Sequence, residues 1–152
     1  MNHLIALAAA LSLALPSAAA PAATPSAARV VTEAGWTRAM PPGATVSAGY
    51  LRIRNTGPAA DRFLSASSPA SKSVELHETS MVDGDMQMRQ VEQLELAPGA
   101  VVHLAPGGMH LMLIGLVRPL KVGEIVTVNL QFERAGRIKA QLRVRPIGAT
   151  GP

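Results

Sequence analysis

The sequence predicts an all-β protein, a single two-sheet β-sandwich domain, and three observations lead there. From residue 29 onward apolar and polar residues alternate in short segments, and Gly, Pro, Asn and Asp break those segments at near-regular intervals. No stretch sustains a 3.6-residue apolar period, so no long helix is expected. Alternation sends successive side chains to opposite faces, which is what a half-buried sheet needs.

The alternation predicts strands over Val30 to Thr37, Val46 to Asn55, Arg62 to Ala66, Ser73 to Thr79, Met86 to Val91, Val101 to Leu104, His110 to Ile114, Ile125 to Phe132 and Ile138 to Val144. Between them lie sequences with turn chemistry: Pro41-Pro42-Gly43, Asn55-Thr56-Gly57, Asp83-Gly84-Asp85, Pro98-Gly99 and Pro106-Gly107-Gly108. Aromatic residues make up only 3% of the chain, so Trp36, Tyr50, Phe63 and Phe132 are its only such rings and the core must rely on Val, Leu and Ile. Arg38, Arg52, Arg54, Arg143 and Arg145 fall on outward positions and read as solvated strand faces.

Residues 1–20 read as a cleaved secretory signal. An apolar run from Leu4 to Leu15 is followed by Pro16 and small residues ending in Ala18-x-Ala20. That run is shorter than the roughly 20 apolar residues of a spanning helix, so no stable membrane insertion is expected after cleavage. Residues 21–28 are Ala, Pro, Ser and Thr, a flexible N-terminal segment. The folded domain is expected over 29–146, with 147–152 a loose Gly- and Pro-rich tail. Cleavage after Ala20 leaves 132 of the 152 residues, the size of one monomeric domain.

Composition removes several functions. There is no cysteine, which in an oxidising compartment excludes disulfides, thiolate metal sites, thiol redox chemistry and the trigonal site of a blue-copper electron carrier. The net charge of +4 is dispersed, without the basic stripe and interleaved aromatics of a nucleic-acid binder. The serines at 65, 67, 68, 71 and 73 have no partnered base in the sequence, so no enzyme is expected.

What remains is a set of soft ligands. Within Ser73 to Thr79, Val74 and Leu76 share one face, which puts His77 on the other. Leu111 and Leu113 claim the core, leaving His110 and Met112 side by side on the outer face. Met86 and Met88 likewise share a face just after the Asp83-Gly84-Asp85 turn. Neutral imidazoles with uncharged thioethers prefer copper(I) over zinc, magnesium or calcium. Met86 and Met109 are plausible neighbours of such a site, whereas Met40, Met81 and His103 read as ordinary structural residues.

The spacing His77, ten residues, Met88, twenty-one residues, His110, one residue, Met112 resembles the copper-ligand signature of the periplasmic copper chaperones of the PCu(A)C (PCuAC) family. The segments Val74-Glu75-Leu76-His77-Glu78, Pro106-Gly107-Gly108-Met109-His110-Leu111-Met112-Leu113 and Gly49-Tyr50-Leu51 are similar too, and the likeness runs from about Val30 to Arg145. It implies a cupredoxin-like Greek-key β-sandwich, copper(I) ligation by His77, Met88, His110 and Met112, and a periplasmic location. It also implies delivery to copper-accepting proteins, namely the copper centre of cytochrome c oxidase with a Sco-type protein as partner. Some relatives carry a His- and Met-rich C-terminal extension for copper(II), and residues 146–152 contain neither residue type. A periplasmic copper buffer and a metal-free structural module are the competing readings.

Overall fold

A computed structural model describes residues 29–152, and the expected signal and N-terminal segment lie outside them. The regular elements of the described residues are all strands: β1 (Val30–Arg38), β2 (Val46–Asn55), β3 (Asp61–Ser67), β4 (Ser71–Val82), β5 (Asp85–Gln90), β6 (Leu94–Leu96), β7 (Val101–Leu104), β8 (Met109–Leu116), β9 (Ile125–Phe132) and β10 (Gly136–Arg145). Seven of them close on themselves in the order β4-β8-β2-β1-β10-β9-β3, and β3 returns to β4 through Ala66 and Val74. The result is a closed seven-stranded barrel in one domain. Its only parallel pair among the described strands is β1 with β10, where Trp36 lies opposite Arg143 and Arg38 opposite Arg145. β5, β6 and β7 are extensions that pair outside this ring.

The ring forms because alternate residues of each strand have somewhere apolar to go. In β9, Val126, Val128, Leu130 and Phe132 turn inward, and Leu142 and Val144 on β10, Ile53 on β2 and Leu111 and Leu113 on β8 meet them. Each such side chain contributes about 1.5–3 kcal/mol by leaving water. The sequence pattern missed β6, because three residues are too few to show alternation. Leu94-Glu95-Leu96 becomes a strand by pairing with Phe63, Arg62 and Asp61.

Two buried polar residues tie the turns at this end. Asn55 donates from Nδ2 to the carbonyls of Ala59 (2.8 Å) and Leu96 (3.0 Å), and its Oδ1 accepts from Gly57 N–H. The Asp61 carboxylate accepts backbone N–H bonds from Arg62, Arg134 and Ala135. Both side chains are therefore satisfied, and burial costs them little.

The rings separate into two pairs. Phe63 and Phe132 meet edge to face inside the barrel at 6.0 Å, whereas Trp36 and Tyr50 lie tilted by 37° with ring centres 4.5 Å apart, outside the core cluster. Arg38 lies over this second pair, 5.5 and 5.6 Å from the two ring centres. It donates from Nη1 to Tyr50 Oη and from Nε to the Ala149 carbonyl. Arg38 is thus not the freely solvated residue that its outward position predicts, because a cation over two aromatic faces gains by staying there.

Candidate metal centre

The site grows from three adjacent strands. β4 runs between β5 and β8, and in this register His77 lies opposite His110, Glu75 opposite Met112 and Thr79 opposite Met88. Opposed residues share a face, so His77, Met88, His110 and Met112 come to the same outer side of the sheet. The hairpin joining β4 to β5 fixes this register. Asp83 and Gly84 both have positive φ (52° and 90°), as a two-residue loop matching the strand twist requires.

His77 and His110 face one another with ring centres 6.1 Å apart, and Tyr50 lies 6.4 Å from His110 on the other side. His110 is buried at 6% exposure although it points away from the core. A groove beside it is lined by Met86, Met88, Met112, Met40, Tyr50 and Arg38. His77 does not line this groove and joins the set through its ring contact with His110. Met109 lies on the opposite face, against the hydrophobic core.

Hydrogen bonds assign the proton on each imidazole. His77 Nε2 is 2.8 Å from Glu75 Oε2, and a carboxylate can only accept, so Nε2 carries the hydrogen. That leaves the lone pair on Nδ1, which is buried and has no hydrogen-bond partner. His110 Nδ1 is 3.0 Å from the Gly108 carbonyl and therefore donates, which leaves the lone pair on Nε2. Gly108 belongs to the turn before β8, where Gly107 takes a positive φ of 82°. Its carbonyl also accepts from Thr79 N–H and so links that turn to β4.

In their neutral forms the two imidazoles have one free nitrogen each and, beside several thioethers, make an uncharged soft donor set. Such a set fits a soft monocation well and a hard divalent ion poorly. The Arg38 charge in the groove wall adds to this preference, since it repels a dication more than a monocation. Among the described residues, no three His, Asp or Glu side chains gather as an alternative cage for a harder metal. The buried Nδ1 of His77 is the atom most in want of a ligand, because an unsatisfied buried polar group costs about 1–3 kcal/mol.

The sequence reading missed Met40, Tyr50 and Arg38 at the groove. Period two already links Trp36, Arg38 and Met40 on one face, but nothing in sequence shows that β2 and β8 bring this face to His110. Met81, expected as structural filler, is 65% exposed. It lies opposite Met86 near the hairpin tip, beyond the reach of the core.

Solved structures share this architecture. The apo PCuAC domain of PmoF2 superposes with a TM-score of 0.69 and 26% identity, over 84% of this chain and 98% of that one. The same domain in its copper-bound form gives 0.65 and 25%, over 79% of this chain and 95% of that one. The copper(I) form of DR1885 from Deinococcus radiodurans gives 0.55 and 28%, over 82% of this chain and 81% of that one. The fold is accordingly the cupredoxin-like β-sandwich of PCuAC domains. A relative in Leifsonia xyli subsp. xyli (strain CTCB07), named "Putative lipoprotein Lxx21020", is 36% identical over 98 residues. The match covers 64% of this chain and 58% of that protein, so the chain spans little more than half of its relative. Residues 30–144 match the family described as "Putative lipoprotein LpqE-like", and the chain belongs to this LpqE-like family.

Proposed function

We propose that this protein is a copper(I) carrier, not an enzyme, that holds one ion between His77, His110, Met88 and Met112 and releases it to a copper-accepting protein. The observation that carries the reading is the pair of opposed imidazoles, each with its proton fixed on the nitrogen away from the free lone pair. Copper-bound PCuAC domains of the same fold support it. The imidazoles bind without adding charge, and the methionines at the groove exclude water that would favour oxidation. Because thioethers hold copper(I) without protons to lose, the ion can leave by exchange of one sulfur at a time.

In this reading the protein works outside the cytoplasm, in the periplasm, where methionine replaces a cysteine that would oxidise. Its receiver is the assembling copper centre of cytochrome c oxidase, directly or through a Sco-type protein. The test is a copper(I) titration of the chain from Pro21 onward, with X-ray absorption of the loaded form. One copper per chain with two nitrogen and two sulfur neighbours is expected. Only nitrogen and oxygen neighbours would overturn the site, and loaded protein that transfers nothing to either acceptor would replace delivery by storage.

A further inference from the structure

The β4–β5 hairpin carries more thioethers than the inner site uses. Met81 and Met86 are directly opposed across the hairpin, one pair before the closing Val82–Asp85 pair. They are 65% and 73% exposed, so neither is spent on packing. Opposed residues have Cβ atoms about 4.5–5.5 Å apart, and the three rotatable bonds of methionine can bring both sulfurs onto one ion. Met88 follows Met86 by two residues on the same face, half-exposed at the groove that reaches His110 and Met112. The tip is also acidic. Asp83 and Asp85 lie in the turn between Met81 and Met86, while the nearby Arg89 is held by Glu78 at 2.6 Å.

We infer that Met81 and Met86 form an outer landing site for a soft monovalent cation, from which copper(I) passes through Met88 to the two histidines. This rests on the copper(I) reading above and adds the route. Each step is a ligand exchange: a copper–sulfur bond to Met86 breaks as one to Met88 forms, and the remaining bond to Met81 breaks as the free nitrogens of His77 and His110 and the sulfur of Met112 bind the ion. The ion stays at +1, no electrons move, and no proton is released where both imidazoles are already neutral. The acidic tip draws the cation in, and Arg38 at the far wall of the groove opposes escape on that side.

Silver(I) is the probe, because it has the same closed d shell and the same taste for thioethers and does not change oxidation state. In protein labelled with carbon-13 at the methionine methyls, the first equivalent should move the Met88 and Met112 signals. Further silver should then move Met81 and Met86. The double variant Met81→Leu, Met86→Leu should keep the first step, lose the second, and take copper(I) from a chelator several-fold more slowly. Leucine at two exposed positions leaves the fold intact. If excess silver leaves Met81 and Met86 unmoved while Met88 and Met112 respond, the landing site is wrong and the inner site stands. If Met88 and Met112 do not respond to the first equivalent, the inner site and the route both fall. An uptake rate unchanged in the double variant would also overturn the route.

Discussion

In β9, Val126, Val128, Leu130 and Phe132 face inward at every second position and are at most 1% exposed, whereas all six residues of β5 from Asp85 to Gln90 are exposed. β9 is paired on both sides, with β10 and β3, while β5 is paired only with β4. The closed ring is held by apolar packing that no metal needs. The hairpin is held by a ladder and a tight turn, and its methionines are free to meet an ion. Stability and metal chemistry are thus written on separate strands, with β4 and β8 belonging to both.

Substitutions on the two sides should therefore fail in different assays. Leu142 is fully buried on β10, and its Cδ1 fills the space that a Cβ on Gly49 would need, 2.7 Å from that position. Leu142→Ala should lower unfolding free energy by about 2–5 kcal/mol, read from denaturant melts. The copper(I) affinity of the fraction that remains folded should be nearly unchanged. Met88→Ala should do the reverse. Its apo stability should stay within about 0.5 kcal/mol of wild type, as for other surface changes. Its copper(I) affinity should fall by more than the roughly 10–100-fold expected when only a supporting residue is lost. Met40→Ala, which touches the groove and the core without being a proposed ligand, should lose much less affinity. Equal losses at Met40 and Met88 would mean that Met88 is groove lining and not a ligand.

How far the sequence could be read follows the same division. Alternation placed His110 and Met112 outward because Leu111 and Leu113 had to go in, and the Asp83-Gly84 turn set the register that brings Met88 to the same face. These are local rules, and they hold on the page of the sequence. Trp36, Tyr50 and Arg38 obey a rule that is not local. Their contact depends on β1 meeting β2 at Trp36–Tyr50, so outward-pointing arginine and core-like tryptophan could not be seen as one cluster. Met109 shows the limit from the other side, since adjacency to His110 in sequence puts it on the opposite face of the strand.

Glu75 tests whether the imidazole is prepared before any metal arrives. Glu75→Ala removes the acceptor that keeps hydrogen on His77 Nε2, so the two tautomers should become mixed in a long-range nitrogen–hydrogen correlation spectrum of the apo protein. Copper(I) affinity should drop by about 10–100-fold. Glu75→Gln should restore both, because its amide oxygen still accepts the same hydrogen bond. If the alanine variant loses affinity with its tautomer unchanged, Glu75 acts by charge alone.

The smallest effect near neutral pH is expected from exchanging one ligand type for the other. His77→Met keeps four soft donors, so its copper(I) affinity should stay close to wild type there. Acid separates the two proteins. An imidazole must be unprotonated to bind, while a thioether has no proton to lose, so protons compete for His77 and His110 but not for Met88 or Met112. Lowering the pH therefore weakens wild-type binding with a limiting slope of about two protons per copper, and raising it strengthens binding until both imidazoles are neutral. In His77→Met the slope should fall to about one, leaving the variant the tighter binder at the acidic end. Competition titrations against a chelator of known pH dependence measure both slopes. A wild-type affinity that does not vary with pH would remove both histidines from the site, and a slope of one in both proteins would remove His77 alone.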